Sequence, residues 1–217
     1  MKSFLRLAAI TLASTALIAG NATSSTAAPG DTATVTIQPK ALSGFASSTS
    51  DLVPVSIAAN RSLALRATVN VNGVPVANEV SIFNSFFTYQ RAWGAGAVTL
   101  TNLHESNGAP VAGGSNAAQV RYGIEYRSGF DVRKRGKKLT FKGKFRYVDN
   151  RNQNVSIRKG QLQVKRGSKW KTIKNLKLKK NGTFTYKRKD KKKRSYRVVI
   201  KTTAVYQGNT WTTRGKI

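Results

Sequence analysis

The sequence predicts an all-β chain, and three observations predict it. Val, Thr, Ile, Tyr and Phe recur in short runs, Gly, Asn and Asp separate those runs, and no long stretch places apolar residues at helical spacing. A turn signal follows every 8 to 12 residues or so, the rhythm of β-sandwiches. Beyond an N-terminal export segment about 190 residues remain, enough for one large domain or two of about 90.

The export segment comes first. Lys2 and Arg6 give a positive start, Leu7 to Gly20 is apolar or small, and Ser25-Thr26-Ala27-Ala28 presents small residues for a signal peptidase. Cleavage after Ala27 is expected, because a cut one residue later would put Pro29 just beyond the scissile bond; Ala22 is the alternative. The apolar run is short of the roughly 20 residues that span a bilayer. Residues 1–27 therefore read as a cleaved signal peptide and the mature protein as secreted, loosely wall-associated at most. The chain has no Cys, so packed cores must supply its stability.

Residues 28–121 read as a neutral β-sandwich module. Leu63, Leu65, Ala67, Val69 and Val71 alternate with Ser62, Ala64, Arg66, Thr68 and Asn70, and Asn72-Gly73 signals a hairpin into Val74 to Val76. Val80, Ile82, Phe86, Phe87 and Tyr89 supply the apolar bulk of a second pair. No role attaches to Ala92-Trp93-Gly94-Ala95-Gly96. A junction is expected over 122–135, with one domain sharing a single sheet as the competing layout.

Residues 136–217 read as a second sandwich. Leu139, Phe141, Phe145 and Tyr147 share one parity; Lys138, Thr140, Lys142, Lys144 and Arg146 share the other. Leu162 and Val164 alternate with Gln161, Gln163 and Lys165 before a turn at Arg166-Gly167-Ser168-Lys169. Asn181-Gly182 signals a hairpin into Thr183 to Tyr186, Tyr196, Val198 and Ile200 alternate again, and Gly208-Asn209 divides the last two runs.

Charge separates the two halves. Residues 121–217 hold 32 of the 38 Lys and Arg and four of the eight acids, a net +28, whereas Lys40, Arg61, Arg66 and Arg91 balance Asp31, Asp51, Glu79 and Glu105 in the first half. Such a block concentrates anions and speeds their encounter. Lys142, Lys144 and Arg146 are expected to form a cationic ladder repeating every ~6.6 Å along one strand. Lys187, Arg188, Lys189, Lys191, Lys192, Lys193 and Arg194 are expected in a loop, mobile when free, that carries one acid, Asp190.

The second module resembles the Ig-like β-sandwich repeats of secreted actinobacterial proteins. The resemblance lies in Gly136-Lys137-Lys138 before Thr140-Phe141-Lys142-Gly143, in Gly167 to Ile173, in Asn181 to Tyr186 and in Ser195 to Val199. It implies two tandem Ig-like modules, an extracellular setting and core roles for Trp170 and Tyr196.

Catalytic chemistry finds little support. His104 is the sole histidine, no Gly-x-Ser-x-Gly elbow accompanies it, and it reads as an exposed loop residue. The acids do not cluster as sugar hydrolysis requires. Asp149 to Asn154 superficially matches a calcium loop, but Arg151 occupies a ligand position, so it reads as a hairpin turn. The expectation is a non-enzymatic protein without metal or cofactor. Lys138, Lys142, Lys144, Arg146 and the Lys187 to Arg194 cations are the expected anion-binding residues. Anionic cell-envelope polymers such as teichoic acid are the expected partners, with non-specific nucleic acid second. A specific protein or carbohydrate ligand, with the charge only solubilising, is the alternative; a hydrolase is the remote one.

Overall fold

The computed structural model describes residues 30–217. The signal-peptide reading of residues 1–27 lies outside the described residues. The first half contributes nine strands: β1 (Thr32–Ile37), β2 (Lys40–Ala41), β3 (Ser50–Ala59), β4 (Leu65–Val71), β5 (Val74–Phe83), β6 (Phe86–Gln90), β7 (Gly96–Glu105), β8 (Ala112–Ser115) and β9 (Ala118–Arg121). They form one sheet in the order β2-β9-β7-β4-β5-β6-β3-β1-β8. β8 pairs in parallel with β1, yet the chain entering it also bonds β7, Val111 N–H donating to Leu103 O at 2.9 Å. The sheet thus rolls over on itself, and Val35, Val53, Leu65, Phe87, Leu100 and Val120 share one core. Asn72 and Gly73 both have positive φ, as the two-residue hairpin requires.

Parity corrects one expectation here. Phe86 faces outward at 40% exposed, beside Phe83 at 73%, because Phe87 and Tyr89 occupy the inner positions of β6.

The second half contributes β10 (Gly129–Arg135), β11 (Lys138–Lys144), β12 (Arg146–Val148), β13 (Asn154–Ser156), β14 (Lys159–Arg166), β15 (Lys169–Lys177), β16 (Thr183–Lys189), β17 (Tyr196–Ile200) and β18 (Asn209–Thr212). A β10-β11-β16 sheet faces a β15-β14-β17-β18 sheet, with β12-β13 as a separate hairpin. β11 pairs with the distant β16, and β14 with β17, the crossed connectivity of an Ig-like sandwich. Leu139, Phe141, Phe145, Leu162, Val164, Phe184, Tyr196 and Val198 fill the core between the sheets.

Two local expectations change. The Asn181-Gly182 turn joins β15 to β16, which lie in different sheets, so it is a crossover between layers and not a hairpin. Gly129–Arg135, within the tract read as a junction, is a strand paired along its whole length with β11.

The halves meet through aromatic rings and one buried cation. Tyr147 stacks on Tyr122 at 5.6 Å and on Tyr206 at 5.2 Å, and Tyr147 and Tyr206 touch both cores. Arg91, 1% exposed, donates to Ser48 O (2.8 Å), Ser43 O (2.6 Å) and Val148 O (3.1 Å), the last in the second half. Desolvation lowers its pKa, opposed by Asp51. The Ala92-Trp93-Gly94 segment now has a role: it closes the turn that aims Arg91. Tyr89 O–H donates to Gly94 O at 2.8 Å, and Trp93 packs edge-on against the Tyr89 ring.

Candidate polyanion-binding surface

Strand register assembles the cations. On the outer face of the three-stranded sheet, Lys138 lies opposite Arg135 on one side and Lys189 on the other. The next outward row is Arg133, Thr140 and Lys187; the third is Asp131, Lys142 and Thr185. Neighbouring strands lie about 4.8 Å apart and outward residues repeat every ~6.6 Å, so these side chains form a two-dimensional lattice. A depression of 560 Å³ runs among Arg133, Arg135, Lys138, Lys142, Lys187 and Lys189. Like charges directly opposite across a sheet are destabilising, each pair by roughly 0.2 to 1 kcal/mol.

Two short turns bring further cations to the same end. Gly136 and Gly167 have φ of 57° and 59°, and each occupies the first central position of a two-residue hairpin, between Arg135 and Lys138 and between Arg166 and Lys169. A second depression of 540 Å³ lies among Lys165, Arg166, Lys192, Lys193, Arg194 and Lys216. β11 runs from this end at Lys138 toward Phe145 and β12, and β17 from Tyr196 toward the loop bearing Tyr206. The cationic tip is therefore the end of the module opposite the tyrosine contact with the neutral half.

Asp190 holds the tip together. Its amide donates to Lys137 O, its carboxylate accepts from Tyr196 O–H (2.8 Å) and Lys192 N–H (3.1 Å), and Arg188 and Arg194 lie at 3.7 and 3.9 Å. Burial pushes the Asp190 pKa up, but Tyr196, the Lys192 amide and the two arginines outweigh it and leave it lowered. Burial, then the bond to Asp190, push Tyr196 up to about 12. Tyr196 is fully buried, in agreement with its expected core role.

The anticipated residues are redistributed. Lys138 and Lys142 share the outer face, with Lys144 one row further along. Arg146 does not: the chain leaves β11 at Phe145, whose N–H bonds Gly182 O, and Arg146 pairs with Ser156 in the separate β12-β13 hairpin. The single ladder is thus interrupted. Lys187, Arg188 and Lys189 lie in β16 and not in a loop; Lys187 and Lys189 face outward, while Arg188 has the inward parity, opposite Leu139. Lys191, Lys192 and Lys193 are exposed in the short loop, with Arg194 half-buried.

Arg133, Arg135, Lys165, Arg166 and Lys216 complete the surface and were not anticipated. Phe130 and Val132 alternating with Asp131, Arg133 and Arg135 ahead of Gly136-Lys137 was the available signal for the first two.

The sole histidine and the Asp149 turn take structural roles. His104 lies in β7, with Nδ1 2.8 Å from Asn102 O and Nε2 2.9 Å from Glu79 Oε2, which corrects its loop assignment. Asp149 accepts from the amides of Arg151 and Gln153, closing the β12-β13 turn. Trp170 is not a core residue. It lies opposite exposed Lys165 on the outward side, and Trp211 packs on Phe145 inside.

No family model matches the chain, and no curated protein matches it. Among solved structures it is similar to the D0-D1 domain of intimin, at 13% identity and TM-score 0.27, covering 82% of this chain and 96% of that one. It is also similar to a tetra-tandem repeat in the extending region of a large adhesion protein, at 8% identity and TM-score 0.28, covering 85% of this chain and 48% of that one. Likeness at this level carries no argument, and the all-β assignment rests on the strand pairing and the two cores.

Proposed function

We propose that the protein is a non-enzymatic extracellular binding protein whose basic module holds anionic cell-envelope polymers by charge. One observation carries the reading: Arg135, Lys138 and Lys189 stand directly opposite one another across the sheet, with Arg133 and Lys187 in the next row. Folding gains nothing from this arrangement. A polymer with regularly spaced phosphates or carboxylates neutralises it and releases its own counter-ions. Asp190 is engaged internally, and on the outer face Asp131 lies within ion-pair distance of Arg133 alone, which leaves Arg135, Lys138, Lys187 and Lys189 without a carboxylate partner among the described residues.

The reading is tested by co-sedimentation of the mature protein with purified, teichoic-acid-bearing wall. Binding at low salt, release by added salt and competition by both heparin and DNA are expected. Retention that salt does not disturb would overturn it.

A further inference from the structure

We infer that Arg197 and Trp170, on the outer face of the four-stranded sheet, form a receptor for the carboxylate of an acidic saccharide. The inference rests on the polyanion reading and names the polymer class that the module distinguishes.

Trp170 is a large aromatic on the outside of a module whose other rings line or border its core. The Arg197 guanidinium lies 4.4 Å from the Trp170 ring centroid, and its Nε donates to Gln163 Oε1 at 2.7 Å. Gln163 is fixed in turn: its Nε2 donates to Thr172 Oγ1 at 3.2 Å and reaches Gln161 Oε1 at 3.4 Å. One face of the guanidinium is therefore held by a ring and one edge by an amide. Its two terminal nitrogens have no acceptor among the described residues. A flat guanidinium with a free fork donates two parallel hydrogen bonds to a planar carboxylate, and fixing it beforehand lowers the ordering cost of binding.

The surroundings select a sugar acid. Gln161, Gln163, Thr172 and Asn175 form a row of amides and a hydroxyl that reaches the Arg197 side chain at Nε through Gln163, joined by contacts as long as 3.4 Å that can be exchanged for sugar hydroxyls. Lys165 stands on the same face, opposite Trp170, and also borders the tip depression. A chain captured at the tip thus reaches Arg197 by way of Lys165.

The test titrates the mature protein with short oligogalacturonate and with short polyphosphate at matched salt, using wild type, Arg197→Lys and Trp170→Phe. Arg197→Lys keeps the charge and removes the fork. It is expected to weaken oligogalacturonate binding by about tenfold and to leave polyphosphate binding unchanged, which also reports that the module is folded. Oligogalacturonate should alter tryptophan emission in wild type and not in Trp170→Phe. Equal effects of Arg197→Lys on both polymers, or none on either, would overturn this site alone. Failure of both polymers to bind wild type at low salt would instead overturn the charge reading, and this site with it.

Discussion

The neutral and basic halves use charge in opposite ways. In the neutral half, Arg61 pairs with Asp31 and Glu105, both nearly buried, Arg66 lies 3.5 Å from Glu79, and Arg91 satisfies three carbonyls. Two of its four cations, Arg61 and Arg91, thus hold strands or loops together. In the basic half, the ion pairs among the described residues involve only Asp131 and Asp190, and Arg133–Asp131 is exposed on both sides. An exposed pair of that kind contributes little. Most of the basic half's cations therefore face solvent without a folding role, on strands that would pack as well with neutral side chains.

Arg91 offers the largest perturbation. Arg91→Ala strands carbonyls of Ser43, Ser48 and Val148 in a dry contact, and chemical denaturation should show a loss of about 3 to 5 kcal/mol. A loss below about 1 kcal/mol would mean that water replaces the guanidinium and that the halves are joined chiefly by the tyrosine stack.

Charge removal should next have opposite signs in the two halves. Arg61→Gln removes the cation that Asp31 and Glu105, both nearly buried, share, and should lower the melting temperature. Lys138→Gln with Lys189→Gln relieves a like-charge row and should stabilise at low salt by about 0.5 to 1 kcal/mol, while weakening polyanion binding. Destabilisation in both halves would break the contrast.

The smallest effect is on pH. The carbonyl of Asn102, then Glu79, hold the His104 pKa above its ordinary 6.5. The His104 contribution is complete below 6.5 and is lost as pH rises through its higher folded value. His104 lowers the Glu79 pKa below 4.5, so that carboxylate's contribution is present above 4.5 and is lost as pH falls through its lower folded value. Melting temperature should therefore decline on the alkaline side of 6.5, and His104→Gln should remove that decline. Asp190, lowered from 3.8, responds only on the acid side.

Alternation made most of the strands legible in the sequence, because a residue's parity decides its face once one face is buried. Leu139, Phe141, Phe145, Leu162, Val164, Tyr196 and Val198 all lie where their alternation puts them. Pairing between distant strands was not legible. Nothing local shows that β11 pairs with β16, so alternation gives a ladder along one strand where the Arg135–Lys138–Lys189 row runs across three. Trp170 misled for a related reason: size and a resemblance suggested the core, but facing Lys165 across the hairpin puts it outside. Arg91 gave no signal, since an isolated Arg reads as surface until three carbonyls converge on it.

If these rows are a binding surface, their cations release counter-ions from any polyanion they hold. That release is read from the slope of log affinity against log salt for duplex DNA, taken as a generic polyanion, with wild type and with Arg135, Lys138 and Lys189 all changed to Gln. If the six cations around the depression, Arg133, Arg135, Lys138, Lys142, Lys187 and Lys189, each neutralise one phosphate, the wild-type slope should be about −5, a loss of roughly three decades between 50 and 200 mM salt, and the triple change should flatten it by about 2.7. A triple variant that stays folded and keeps the wild-type slope would contradict the claim and leave the charge of the basic half a solubilising coat.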